Sequence, residues 1–336
     1  MTISRFNSLN LSENISLSNR LVLPPMASGT SDTQGFVTEK SINHYKNLAQ
    51  SGASLMFAEY TYVNEYGRSE PNQLGAQSDA HIEGLSKIAQ IFKEAGAIAG
   101  LQLTYCGGKG SLELAGGTLW GPSQGEVPAR DRSLPEMNEL PTEKVPDLIQ
   151  DFINAADRAQ KAGFDMVELH CAHGYGINQW LSPLTNKRQD EYGGSLENNF
   201  KMLKDIILGI RKNNPNLLIA TRIPGQDHFP EGLSIEDMQW IAKQLELLGV
   251  SLIDVSSGIG GWKRPKERRG QGYLVEDAAK IKQAINIPVI GVGGIETNSY
   301  IETALQESWL DLAAVGRAIL KGPLDWKKSF TSGNKQ

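Results

Sequence analysis

His170 and His173 stand three residues apart in the stretch HCAHGYGINQWLSP (170–183), and Tyr175 follows two residues later. Imidazoles at that spacing can ligate a metal, poise a proton, or hold a substrate oxygen, and a neighbouring phenol can act as an acid. A metal would need a third ligand and groups to orient it. His44 and His81 fall in helical patterns, and neither they nor His228 sits at an obvious strand end. A Schiff-base aldolase would need a lysine at a strand end, and the apolar runs end in none. Two donors holding an oxygen, with a tyrosine as acid, need only what the stretch contains. Two histidines satisfied structurally are the alternative that these residues leave open.

An apolar run, FDMVELH (164–170), leads into the pair, and it is one of eight. The others are LVLPPM (21–26), ASLMFAEY (53–60), AIAGLQL (97–103), LLIATRI (217–223), VSLIDVS (250–256), IPVIGVG (287–293) and DLAAVG (311–316). Most are continuous rather than alternating, as in parallel strands buried on both faces. Helical periodicity fills the gaps at 39–51, 79–95, 143–162, 196–212, 235–248, 276–285 and 297–306. Ser195, Ser234 and Thr297 are placed to open helices, Thr142-Glu143 also reads as a helix start, and Gly52, Gly96 and Gly163 are placed to close helices. Eight strands alternating with helices predict an α/β fold, a single (β/α)8 TIM barrel spanning 1–336 as one domain. The Gly- and Pro-rich stretch 104–141 reads as an extended loop after strand three and a wall or lid at the barrel mouth. A doubly wound sheet would want a GxGxxG turn after its first strand, where this chain has LPPMASGT.

In such barrels the active residues gather at the C-terminal ends of the strands. That rule selects Pro24, Pro25, Met26 and Ala27 after strand one, Glu59 and Tyr60 after strand two, and Gln102 on strand three. Strand four delivers His170, with His173 and Tyr175 beyond it. Arg222 ends strand five, Ser256 and Ser257 end strand six, and Gly293, Gly294, Gly316 and Arg317 end strands seven and eight. GVGGI and VGRAI place glycines where barrels hold phosphate, with the Arg317 fork beside them. Two plain glycine turns are the other reading. Arg222 is a structural ion pair with Glu168 or Asp254, or it faces an electron-rich ring. Gln102 offers a donor and an acceptor, suited to a planar heterocycle or to a satisfied core amide.

Composition narrows the partners. The chain has 336 residues, 40% of them apolar, with a net charge of −5, which disfavours nucleic acid. The basic run Lys263-Arg264-Pro265-Lys266-Glu267-Arg268-Arg269 is a solvated loop or a contact for a phosphate. Two cysteines, Cys106 and Cys171, build neither a disulfide framework nor an iron–sulfur site. The first ten residues, MTISRFNSLN, lack the apolar core of a signal peptide, and no run is long enough to span a membrane. These features predict a cytoplasmic protein without a membrane partner.

The stretch HCAHGYGINQWLSPLTNKRQDEYGGSLENNF (170–200) closely resembles the signature of the old yellow enzyme family, the FMN-dependent ene-reductases. NRLVLPPM (19–26), LQLTYCGGKG (101–110), GVGGIET and VGRAIL extend the resemblance over essentially the whole chain. It implies a (β/α)8 barrel holding FMN non-covalently. Pro24, Pro25, Met26, Ala27 and Tyr60 would line the flavin, Gln102 would meet its pyrimidine edge, and Arg222 would lie near N1 and O2. Gly293, Gly294, Gly316 and Arg317 would hold its phosphate. NADPH or NADH would reduce the flavin, and an electron-poor alkene, such as an α,β-unsaturated carbonyl compound, would then take a hydride at its β-carbon. His170 and His173 would bind the carbonyl oxygen, and Tyr175 would protonate the α-carbon. The chain departs from the pattern at Ala27 (usually Thr or Cys), Gly29 (a tyrosine in one subgroup), Tyr60 (usually small), Tyr105-Cys106-Gly107-Gly108 (usually H-A-G-R) and Asn199 (usually Arg). An FMN barrel with a different redox reaction, or with poor alkene turnover, is the alternative those departures suggest. Homo-oligomers are compatible with the resemblance. The basic run after strand six would favour NADPH.

Overall fold

A computed structural model describes residues 3–130 and 133–332. Eight parallel strands close into a barrel: β1 (Leu21–Leu23), β2 (Leu55–Tyr62), β3 (Ile98–Thr104), β4 (Met166–His170), β5 (Leu218–Pro224), β6 (Leu252–Ser256), β7 (Val289–Gly291) and β8 (Leu312–Ala314). Each strand pairs with its neighbour in sequence, and β8 pairs with β1 to close the ring. Every one of the eight apolar runs supplies one of these strands. The expected α/β barrel is therefore the observed fold.

The connecting helices are α1 (Glu39–Leu48), α2 (Ile82–Glu94), α3 (Val145–Lys161), α4 (Leu196–Asn213), α5 (Ile235–Leu247), α6 (Val275–Lys282), α7 (Asn298–Gln306) and α8 (Pro323–Thr331). Their apolar residues recur every three or four positions and face the strands. In α3 that face is Leu148, Ile149, Phe152, Ile153, Ala156 and Ala159, all buried. Truncating the fully buried Phe152 to alanine would cost about 3–5 kcal/mol. Side chains of Ser195, Ser234 and Thr297 accept the N–H three residues on, so all three predicted caps form. Gly163 closes α3 at φ 90°, a conformation costly to other residues. Thr142 differs from expectation. It lies in a 3-10 turn ahead of α3, and its hydroxyl donates to Asp190 and accepts from Arg188 instead of capping the helix.

Two apolar layers result. One fills the space between strands and helices. The other fills the barrel, where Val22, Leu55, Phe57, Met166, Ala220, Leu252, Ile290 and Leu312 meet. Leu17 seals it from below, carried by a short hairpin that pairs Leu9–Asn10 with Ser16–Leu17. The stretch after β3 packs around Ala115, Leu119, Val127, Leu134 and Met137 and against Ile259 beyond β6, and none of its described residues lines the main cavity. Among the described residues, no helix is long and apolar enough to cross a membrane.

Candidate active site

The strand ends surround a cavity of about 790 Å³. Fifteen of the seventeen strand-end residues selected from the sequence line it: Pro24, Pro25, Met26, Ala27, Tyr60, Gln102, His170, His173, Tyr175, Arg222, Ser256, Gly293, Gly294, Gly316 and Arg317; Glu59 and Ser257 do not. Strand order spaces them. In a closed ring of eight, β4 lies across from β8, so the histidines and the Gly316-Arg317 turn occupy opposite sides.

One wall is aromatic. The His170 ring lies 4.9 Å from that of His173 and 5.0 Å from that of Tyr175, and Tyr60 lies 5.7 Å from Tyr175. His173 sits at φ 62°, in the left-handed region, so the chain after β4 turns back on itself there. Three bonds hold that turn. The His173 N–H donates to the Ser257 carbonyl at 2.9 Å. Lys109 donates to the carbonyls of His173 (2.5 Å) and Ile259 (3.1 Å). Tyr60 reaches the cavity through an irregularity in the β2–β3 register between Ala58 and Thr61, the kind of feature that re-aims side chains. Its hydroxyl pairs with Ser69 at 3.1 Å.

Both imidazoles are held neutral. Burial pushes His170 well below the usual range, and the Arg222 and Lys109 charges add to it. For His173, burial again leads, followed by His170, Arg222 and Lys109. Tautomers follow from partners. The Ala172 N–H approaches His170 Nδ1 at 3.4 Å, which leaves the Nε2 proton for the cavity. His173 Nε2 lies 2.7 Å from the Ser256 hydroxyl. If Ser256 donates there, Nδ1 carries the second available N–H. Two neutral donors then converge with a phenol, an arrangement that can polarise a carbonyl and deliver a proton.

The floor and far wall are polar. Gln102 donates from Nε2 to Glu168 at 2.6 Å. Arg222 is 5% exposed, and its Nε lies 3.1 Å from Asp254 Oδ2, so Asp254 is the nearer of its two candidate partners. The segment after β1 is anchored from beneath: Ser28 donates its N–H to Glu59 Oε2 at 3.0 Å and its hydroxyl to Oε1, and the Tyr45 hydroxyl donates to Oε1 at 3.1 Å. Gly293 has φ 125°, and a Cβ there would come within 2.9 Å of Leu274 N and 3.0 Å of Tyr273 N.

Trp262, Tyr273, Gln271 and Glu70 also line the cavity and were not selected from the sequence. They arrive on irregular loops, where no periodicity marks them; Trp262 beside the basic run was the one visible hint. That run divides. Arg264 lines the cavity and lies 5.9 Å over the Tyr273 ring. Arg268 pairs with Glu276 and Asp277, and Arg269 donates to backbone carbonyls. His44, His81 and His228 stay out of the cavity lining. Among the described residues, no group of three or more His, Cys, Asp or Glu side chains is placed to hold a metal ion.

Known proteins share this sequence pattern and fold. The profile of the NADH:flavin oxidoreductase / NADH oxidase family matches residues 6–335. An NADPH dehydrogenase of Geobacillus sp. (strain WCH70) is 38% identical over 310 residues, which is 92% of this chain and 88% of that protein. A 2-naphthoyl-CoA reductase in complex with 2-naphthoyl-CoA superposes with a TM-score of 0.90 at 26% identity, over 97% of this chain and 52% of the other. The old yellow enzyme homologue of Zymomonas mobilis superposes with a TM-score of 0.83 at 24% identity, over 98% and 92%, and speaks to the fold alone.

Proposed function

The chain belongs to the NADH:flavin oxidoreductase / NADH oxidase family and is an FMN-dependent NAD(P)H oxidoreductase of the old yellow enzyme type, and from that premise we propose that it reduces electron-poor alkenes. The residues fit the cofactor. Gly293, Gly294, Gly316 and Arg317 line one side of the cavity, and a Cβ at Gly293 would strike the Tyr273 and Leu274 backbone, so the turn keeps its tight packing there only without a side chain. Arg222 faces the cavity as a buried cation, the group that a ring able to carry negative charge requires. In this reading Pro24, Pro25, Met26, Ala27 and Tyr60 border the flavin ring, and Gln102 and Arg222 meet its pyrimidine edge. Gly293, Gly294, Gly316 and Arg317 hold its phosphate. When bound, FMN supplies the hydride chemistry, accepting from NADH or NADPH and delivering to the alkene β-carbon. The whole chain is taken as a single FMN-binding domain.

The protein's share is orientation, polarisation and one proton. His170 Nε2–H and His173 Nδ1–H bind the carbonyl oxygen of the substrate and draw charge from its double bond. Because both rings are neutral, they stabilise the developing enolate without giving up a proton. Tyr175 protonates the α-carbon. The observation that carries the proposal is the packing of His170, His173 and Tyr175, with His170 within about 5 Å of both other rings on one wall.

The visible spectrum of the flavin-loaded protein tests it. Anaerobic NADPH should bleach the flavin, and cyclohexenone should then restore it. Tyr175→Phe should slow that second step and spare the first; equal slowing of both would remove Tyr175 as the acid. Ala27 and Tyr60 favour a second reading, an FMN barrel with another redox reaction. Ala27 has no side-chain donor for the flavin, and Tyr60 is a large ring packed against Tyr175. Bleaching without reoxidation by cyclohexenone would select that reading.

A further inference from the structure

We propose that Glu168 is a positioning residue that keeps a proton beneath the flavin site, leaving Arg222 as the only ionised group whose charge is presented to the pyrimidine edge. The inference rests on the flavin contacts assigned above to Gln102 and Arg222, and not on the alkene.

Three charged side chains meet inside the top of the barrel. Glu168 on β4 and Asp254 on β6 flank Arg222 on β5; both acids are fully buried, and the arginine is nearly so. One guanidinium cannot keep two desolvated carboxylates ionised. The contacts decide which of them holds the proton. Asp254 Oδ2 lies 3.1 Å from Arg222 Nε, close enough for an ion pair although the N–H is not aimed along that line. Glu168 Oε2 has the neutral Gln102 amide at 2.6 Å, and its Oε1 has no hydrogen-bond partner. Neutral contacts of that kind stabilise an acid far less than a guanidinium does.

The remaining neighbours agree. The titratable and charged groups that act on Glu168 or feel it are Asp254, Arg222 and the Cys171 thiol. Burial and the Asp254 charge push the Glu168 carboxyl up, and Arg222 offsets only part of this. Burial raises Asp254 too, with Arg222 opposing it. His170, two residues along β4, is held neutral and adds no cation. With the proton on Glu168, Arg222 and Asp254 form a neutral pair next to a neutral acid. When Glu168 loses that proton to solvent, the barrel gains one negative charge under the pyrimidine edge, and the flavin becomes harder to reduce.

Two variants test the proposal, read by infrared spectroscopy of the FMN-loaded protein and by flavin midpoint potential against pH. In the wild-type protein a protonated-carboxyl stretch should be present at pH 7 and disappear at alkaline pH, as the potential falls more steeply. Glu168→Gln should lack the band, keep the wild-type potential at pH 7 and lose the alkaline step. Asp254→Asn should also lose the band at pH 7, because Arg222 is then left with Glu168 alone. A higher potential at pH 7 in Glu168→Gln would show that a resident negative charge had been removed, and would overturn the proposal. So would a band that survives either substitution. The infrared readout is independent of cyclohexenone turnover, so failure of the alkene reading and failure of this one are distinguishable.

Discussion

Gly293→Ala probes the phosphate cradle. The residue has φ 125°, where an L side chain is strained, and its new Cβ would lie 2.9 Å from Leu274 N and 3.0 Å from Tyr273 N. Both obstacles are backbone, and the Tyr273 N–H donates to the Gly293 carbonyl at 3.0 Å, so the two segments cannot separate without losing that bond. Backbone strain of this type is about 1–3 kcal/mol. A free protein can relax the turn, whereas a protein holding a phosphate there cannot. The strain therefore falls on binding, and FMN affinity should drop by roughly 5- to 150-fold. Gly163→Ala is the control. It imposes a positive φ of 90° on alanine at the end of α3, far from the cavity lining, with no atom within 4 Å of the added carbon. Titration of the apoprotein with FMN, followed by quenching of flavin fluorescence, gives both dissociation constants, and urea unfolding gives both stabilities. Gly163→Ala should lose stability and keep FMN affinity. If Gly293→Ala also keeps wild-type affinity while losing stability, the turn after β7 does not hold the phosphate.

Two further perturbations separate the roles of neighbouring groups. Ser256→Ala removes the 2.7 Å partner of His173 Nε2 and frees its tautomer, so binding of a phenol, seen as a long-wavelength flavin band, should weaken by about 1–3 kcal/mol; an unchanged dissociation constant would remove Ser256 from the orienting role. Arg222→Met leaves Glu168 and Asp254 without their cation, at a cost of about 3–5 kcal/mol where they are ionised. Both carboxyls are raised above their unfolded values, so the stability tied to them is present at low pH and lost as pH rises through the folded values. Urea unfolding should therefore show a larger deficit at pH 8 than at pH 6, and an equal deficit at both would refute the assignment.

The parts of the molecule legible in the sequence are those governed by periodicity and by position along a strand. Eight apolar runs, most of them continuous, became eight barrel strands because a parallel strand buried on both faces has no polar side to display. Once the barrel was recognised, the strand-end rule alone placed Gln102, Arg222 and the paired glycine turns on one cavity, though they are far apart in the chain. Roles were harder to read than places. Arg222 had two acids within sequence reach, Glu168 and Asp254, and only the register that sets Arg222 beside Asp254 tells them apart. The strand-end rule selects Tyr60, but its packing against Tyr175 is not written in the strand pattern, which is broken there by an irregular β2–β3 register between Ala58 and Thr61. His173 is the sharpest case. Its left-handed backbone angle is unusual for a histidine and is held by Lys109 and Ser257, two residues that join it from loops after β3 and β6. The spacing H-x-x-H therefore says that two imidazoles are near one another in the chain. Where the His173 ring is presented depends on that turn and on the Ser256 hydroxyl at its Nε2, so changes at Lys109 or Ser256 should alter substrate binding while leaving the motif itself intact.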